Sequence, residues 1–228
     1  MPTYILHIPK TGGSNLRHTL GKAKGIIICD HPKTTLDPKP DDRFVFFVRS
    51  PLTRFVSAFI TRLRCGRPRY NNAHQAAEKI TFARYQSPEQ LALDLGHADP
   101  LVHAKAIEAI NSMMIMRQDF RFYLKSVDHL VANADKILFV GRNENMDEDY
   151  DQLIQKLGIN APPLSQDPVL RHKTPAEYEA LTQLSPQARE NVMRHYQEDY
   201  RLIKQLKAMG FLNSSYLEDE FKQLDKMA

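Results

Sequence analysis

Residues 4–20, YILHIPKTGGSNLRHTL, decide how the chain begins to fold. Apolar residues at positions 4, 5, 6 and 8 predict a short buried strand, which is broken from Pro9 onward. Gly12 and Gly13 follow, and Ser14 opens a helix with apolar residues at positions 16 and 20. The first amides of a helix lack partners within the helix, and two glycines let the backbone close around an anion. The stretch therefore predicts a phosphate-type site, to which Lys10 adds positive charge; the alternative is an ordinary turn with a surface lysine.

The composition predicts one folded domain over residues 1–228, with 42% hydrophobic and 25% charged residues. No apolar run has the length of a membrane span, and the first strand is predicted within a few residues of Met1. We therefore expect no signal peptide, no membrane anchor and a cytoplasmic location. The two cysteines, Cys29 and Cys65, form neither a disulfide framework nor a metal-ligand spacing.

Positive charge is concentrated at the start of the chain. Residues 1–72 contain 13 Lys and Arg against 4 Asp and Glu, a net charge of +9. The remainder contains 18 against 23, a net charge of −5, so the whole chain carries +4. A solvated basic surface would give the same count. Its position beside the glycine loop favours an anionic ligand instead.

Three more strands are predicted at residues 25–29, 43–48 and 136–140, alternating with helices. This alternation is typical of an α/β fold with a central, mostly parallel sheet flanked by helices. Ligands bind at the carboxyl ends of such strands. Lys10, His31 and Arg49 each follow a predicted strand, so we expect them to cluster at one edge of the sheet.

A helix is predicted after Arg49, with Ser50 as its N-cap and Pro51 at its first position. Its apolar residues form a stripe with helical spacing that packs on the sheet. Ser57 lies in a separate row of hydroxyl residues spaced four apart, with positions 53 and 61. This row can face a ligand held by Arg49, although for Ser57 alone a solvated helix serine is the favoured interpretation.

The rest of the chain supplies helices but few motifs. Residues 65–87 have no clear period and predict a loop-rich insertion, and residues 101–124 predict mostly helix. Further helices are predicted at 146–157, about 175–183 and about 186–209. A charged, amphipathic tail, residues 211–228, either docks or frays.

Two motifs together, PKTGGS at 9–14 and VRSPLTRFVSAF at 48–59, resemble the sulfotransferases that use 3′-phosphoadenosine 5′-phosphosulfate (PAPS). The chain most resembles the branch with carbohydrate 2-O-sulfotransferases and their small bacterial relatives. The resemblance covers about residues 4–209, with no matching motif at 65–135, and implies a three-layer, P-loop-NTPase-like sulfotransferase fold. The pattern R-x-P-x-x-R-x-x-S-[AG]-[YF] of that family is matched by Arg49, Pro51, Arg54, Ser57, Ala58 and Phe59.

The resemblance implies a role for each motif. The first would bind the 5′-phosphosulfate, and the second would bind the 3′-phosphate through Arg49 and Ser57, with Arg54 nearby. Lys10 would neutralise the bridging oxygen as the product PAP leaves; no metal is implied. A late basic loop of the family, over the nucleotide, is loosely matched by His172 and Lys173. The loop donors would come from Thr11, Gly12, Gly13, Ser14 and Asn15.

The acceptor hydroxyl needs a base, and His31 lies where the resembling branch places a histidine. Asp30 would orient the His31 ring or act as the base itself; alternatively, His31 is only a loop histidine beside a proline. The acceptor predicted from the resemblance is a carbohydrate or a small metabolite. Residues 65–135 would build its pocket.

Two other functions compete with this interpretation. A P-loop kinase or nucleotide hydrolase needs a lysine after the glycines, whereas Lys10 precedes them. A basic nucleotide- or nucleic-acid-binding module without catalysis needs aromatic and basic residues spread over one surface, whereas the aromatic residues here fall within apolar stripes. We therefore expect no nucleic-acid partner.

Overall fold

Four parallel strands form the central sheet of the computed structural model, which describes residues 2–29 and 35–227. Their order across the sheet is β2-β1-β3-β4. In register, Leu6 lies opposite Cys29 on one side and Phe46 on the other. The carboxyl ends of β1 and β3 therefore lie side by side, at the edge where the two motifs follow. The strands are β1 (Thr3–Leu6), β2 (Ile26–Cys29), β3 (Arg43–Val48) and β4 (Ile137–Arg142).

Helices cover the sheet and connect β1 to β2 and β3 to β4. Short 3₁₀ helices lie at Ala134–Lys136, Asn143–Asn145 and Ala176–Thr182. The α-helices of the described residues are α1 (Gly13–Leu20), α2 (Pro51–Leu63), α3 (Ala76–Arg84), α4 (Pro88–Asp94), α5 (Pro100–Ser112), α6 (Met114–Arg117), α7 (Phe120–Leu124), α8 (Val127–Ala132), α9 (Met146–Leu157), α10 (Pro186–His195), α11 (Gln197–Ala208) and α12 (Glu218–Met227). Within the described ranges, no helix combines the length and apolar character needed to cross a membrane.

Alternation along the strands produces three layers. Val45 and Phe47 of β3 face a core formed with α1 and α9, whereas Phe44 and Phe46 face a core formed with α7, α8 and α11. A third cluster, formed by α2 with α3, α4, α5 and α10, lies beside the sheet. The predicted α/β fold with a parallel sheet between helical layers is confirmed.

Several predicted elements differ in detail. The stretch 65–87 contains the helix α3, whose buried residues are Glu78, Thr81 and Phe82. Two of these three are polar, so no apolar period marks the helix in the sequence. The predicted helix at about 175–183 is a 3₁₀ helix, and that at about 186–209 is divided at Tyr196. The tail ends in α12, which docks on the rest of the chain.

Candidate functional site

The loop between β1 and α1 is packed too closely to accept side chains at its glycines. Gly12 has a φ of 93°, a conformation that favours glycine, and a Cβ there would lie 2.7 Å from Met146 Sδ. A Cβ on Gly13 would lie 2.0 Å from His7 Cδ2. The loop backbone is therefore held between His7 and Met146, and the first amides of α1 are presented at its end.

Lys10 and Arg49 meet at the edge of the sheet, as predicted from their positions after two strands. Arg49 Nη1 donates to the carbonyl oxygen of Lys10 at 3.2 Å. The hydroxyl row of α2 holds both side chains: Lys10 Nζ donates to Thr61 Oγ1 at 2.7 Å, and Arg49 Nε donates to Thr53 Oγ1 at 3.0 Å. The third member predicted at this edge, His31, lies outside the described residues, as does Asp30.

A cleft of about 840 Å³ opens over this edge. Its volume is within the usual range for small-molecule sites, about 300–1,000 Å³. A second cavity of about 280 Å³ shares Arg49 and Ser57 with the cleft. Of the residues predicted from the sequence, the cleft is lined by Lys10, Gly12, Gly13, Ser14, Arg49 and Ser57.

Two predicted residues, Thr11 and Asn15, support the loop through their side chains. Both are buried and neither lines the cleft. Thr11 Oγ1 donates to the carbonyl of Ile8 at 2.9 Å, and Asn15 Nδ2 donates to the carbonyl of Ser165 at 3.0 Å. Their side chains thus fix the loop, and the Asn15 amide is engaged as well, since it donates to the Gly12 carbonyl at 3.0 Å.

Arg54 lies behind the loop, with only 1% of its surface exposed. Its Nε donates to the carbonyl of Pro9 at 3.2 Å, and its Nη2 donates to the carbonyls of Ile115, at 3.1 Å, and Gln118. It does not line the cleft. We therefore interpret Arg54 as a positioning residue for the loop, instead of the cofactor contact predicted from the sequence.

The late basic loop covers one side of the cleft, through one of the two residues matched from the sequence and the residue before it. Arg171 and His172 line the cleft, whereas Lys173 is exposed and does not. Arg171 Nε donates to the carbonyl of Ser165 at 2.9 Å, and the His172 ring packs against the Tyr70 ring with centroids 5.5 Å apart. Of the two residues matched to this loop from the sequence, His172 thus lines the cleft and Lys173 does not.

Several positively charged groups lie close together in and behind the cleft. Burial, followed by the charges of Arg49, Arg64 and Arg54, lowers the pKa of Lys10 to about 7. Burial and then the charge of Lys10 lower the pKa of His172 to about 3. Burial also lowers the pKa of Arg49. An anion bound among these groups would relieve their repulsion, so the site favours a ligand with several negative charges.

The far wall of the cleft is formed by residues that no motif identified. Arg62 and Glu78 form a two-pronged ion pair, with Nε–Oε1 and Nη2–Oε2 distances of 2.6 Å. Burial pushes the pKa of Glu78 up, but hydrogen bonds from Arg62 and from the Gln75 amide outweigh it and leave this pKa below its usual value. Glu78 therefore remains an ionised, fully engaged carboxylate. The wall also includes Tyr70, Asn72, Ala73, Met114 and Ile115.

Comparison with known proteins agrees with the motifs. The family model described as the sulfotransferase family matches residues 4–204, which include both motifs. No curated protein and no solved structure matches the chain. Among residues 2–29 and 35–227, no group of three His, Cys, Asp or Glu side chains is arranged to hold a metal ion.

Proposed function

The chain belongs to the sulfotransferase family, and from this premise we propose that it transfers a sulfuryl group from PAPS to an acceptor hydroxyl. The supporting observation is the junction of the two motifs, where Arg49 bonds to the backbone of Lys10 inside a cleft of about 840 Å³. PAPS carries a 5′-phosphosulfate and a separate 3′-phosphate. A donor of this kind requires two anion sites at one edge of a sheet.

The residues of the cleft fit the two ends of this donor. The amides of residues 11–14 would hold the 5′-phosphosulfate, since Gly12 and Gly13 leave no room for side chains there, whereas the Asn15 amide already donates to the Gly12 carbonyl. Arg49 and Ser57 would hold the 3′-phosphate, because a guanidinium matches phosphate geometry. The smaller cavity beyond them, which includes Leu52 and Val56, offers an apolar surface to the adenosine. When bound, PAPS supplies the sulfuryl group.

Lys10 would act on the charge that develops during transfer. Its Nζ lies in the cleft, held by the Thr61 hydroxyl at 2.7 Å. With a pKa of about 7 in the free protein, it is ready to gain a proton when an anion approaches. The ammonium would then stabilise negative charge on the leaving oxygen, a charge that is greatest in the transition state.

The acceptor would lie against the far wall of the cleft, where amide, aromatic and apolar side chains suit a carbohydrate or a small metabolite. Glu78 is a poor base there, since Arg62 and the Gln75 amide engage both its oxygens. We therefore retain His31 as the proposed general base, with Asp30 as its orienting group or replacement.

Binding and turnover test the proposal separately. Isothermal titration with PAP, with ATP and magnesium, and with a short oligonucleotide should show strong binding of PAP alone. Incubation with labelled PAPS and a panel of hydroxyl compounds should give a product heavier by one sulfuryl group, detected by mass spectrometry. Preferential binding of ATP with magnesium would favour a kinase, and binding of the oligonucleotide would favour the nucleic-acid module.

A further inference from the structure

A buried serine beside Arg49 is bonded to two carboxylates from distant parts of the chain. Ser50, 1% exposed, donates its backbone N–H to Glu144 Oε1 at 2.9 Å. Its hydroxyl donates to Glu220, at 2.8 Å from Oε1 and 2.9 Å from Oε2. Glu144 follows β4, and Glu220 belongs to α12. Three separate segments therefore converge on the residue that follows Arg49.

Two buried tyrosines complete the arrangement. Tyr216 donates its hydroxyl to Glu144 Oε2 at 2.9 Å, and Tyr200 donates its hydroxyl to Glu220 Oε2 at 2.5 Å. Burial, and then the neighbouring carboxylate, raise the pKa of each tyrosine, so both remain protonated donors at neutral pH. Each carboxylate thus accepts from one buried tyrosine and from Ser50.

Ser50 is linked to Arg49 by hydrogen bonds in the first turn of α2. Ser50 is the N-cap of the helix: its Oγ accepts from the Thr53 N–H at 3.3 Å, and its carbonyl accepts from the Arg54 N–H at 2.8 Å. Thr53 Oγ1 in turn accepts from Arg49 Nε at 3.0 Å. The direction of the Arg49 guanidinium therefore depends on where Ser50 is held.

We propose that Tyr216 and Glu220 are positioning residues for the 3′-phosphate half of the nucleotide site: together with Glu144 they fix Ser50 and so aim Arg49 into the cleft. The inference rests on the proposed function, in which Arg49 binds the 3′-phosphate. Both residues lie beyond residue 204, where the match to the family ends. The C-terminal segment thus adds a support to the site that the family pattern does not include.

Two variants and one matched control test this role. Glu220→Ala removes the acceptor of the Ser50 and Tyr200 hydroxyls, and Tyr216→Phe removes a single hydroxyl from Glu144. The control is Glu218→Gln, on the same helix, whose carboxylate is bonded to the exposed Lys222 at 2.7 Å. Affinities for PAP and for adenosine 5′-phosphosulfate, which lacks the 3′-phosphate, are measured by titration calorimetry. We expect Glu220→Ala to weaken PAP binding about 3- to 10-fold and Tyr216→Phe somewhat less, as for the loss of one or two hydrogen bonds.

Comparing the two nucleotides distinguishes a positioning effect on Arg49 from a general loss of structure in the variants. Adenosine 5′-phosphosulfate should bind all the variants within about twofold of the original protein, and Glu218→Gln should leave both affinities unchanged. Equal losses for both nucleotides would overturn the inference, because they would indicate a structural role for α12 alone. A gain in PAP affinity would also overturn it, since the carboxylates would then act only by repelling the phosphate.

A second measurement needs no nucleotide. The side-chain Nε–H resonance of Arg49, assigned with Arg49→Lys, should shift or broaden in Glu220→Ala but not in Glu218→Gln. An unchanged resonance would overturn the inference. If the original protein binds PAP no better than adenosine 5′-phosphosulfate, the proposed function fails, while this resonance still decides whether Glu220 positions Arg49.

Discussion

Binding of PAP should draw a proton from solution, because the nucleotide would stabilise the charged form of Lys10. In the free protein, burial and three arginines lower the pKa of this lysine to about 7. At pH 8, a group with this pKa is about 10% protonated. A bound phosphate beside Lys10 returns its pKa toward the usual range near 10.5, so that it becomes almost fully protonated. The expected uptake is therefore about 0.9 proton per PAP at pH 8, about half at pH 7 and about 0.1 at pH 6.

The other titrating groups contribute little at pH 8. His172, with a pKa of about 3 in the free protein, remains neutral even if the anion restores its ordinary pKa of about 6.5. The phosphates of PAP have second pKa values near 6 and are already ionised. The uptake at pH 8 therefore reports chiefly on Lys10. PAP affinity should therefore fall as the pH rises from 7 to 9, because protonation of Lys10 then becomes part of the binding reaction.

Titration calorimetry at pH 8 in HEPES and in Tris, whose ionisation enthalpies differ, measures the number of protons taken up. The matched control is Lys10→Arg, which carries a permanent charge and should bind PAP without proton uptake. An uptake near zero in the original protein, or an undiminished uptake in Lys10→Arg, would refute the reasoning. The first result would mean that Lys10 is already charged, and the second that another group titrates.

Three further predictions concern the two motifs and the base. Arg49→Ala should weaken PAP binding about 10- to 100-fold, as expected for a charge-assisted contact, while titration with adenosine 5′-phosphosulfate shows almost no change. Gly13→Ala should lower the free energy of unfolding by about 1–3 kcal/mol, measured in urea, because its Cβ would lie 2.0 Å from His7 Cδ2; unchanged stability would contradict the packing. At saturating PAPS, kcat should rise with pH through about 6.5, and His31→Ala should lose about 10²–10⁴-fold in kcat with PAP affinity intact; near-full turnover would assign the base to another residue.

The sequence predicted the sheet and the edge of the site because those features depend on local patterns. The apolar runs of the strands are continuous, and α2 begins with an N-cap serine followed by proline. The meeting of Lys10 with Arg49 follows from parallel topology alone. The same reasoning could not find the far wall of the cleft, because Glu78 lies on α3, a segment without a repeating apolar pattern, and no local spacing links it to Arg62 on α2.

Contacts between distant residues account for most of what sequence reasoning missed. Ser50 is separated by 94 residues from Glu144 and by 170 residues from Glu220, and no local spacing indicates either bond. The role of Arg54 was misjudged for a related reason. Its place in the motif suggested the ligand, but its partners are backbone carbonyls at residues 9, 115 and 118.

The two motifs form one structural unit. Three contacts join the β1–α1 loop to the second motif and its helix: Arg49 to the Lys10 carbonyl, Arg54 to the Pro9 carbonyl, and Lys10 Nζ to Thr61. The charge of Arg49 lowers the pKa of Lys10, and the charge of Lys10 lowers the pKa of His172. An anion bound at one of the two motifs therefore changes the electrostatic environment of the other. The two ends of the proposed donor should therefore bind cooperatively, since an anion beside Arg49 reduces the repulsion that discourages protonation of Lys10.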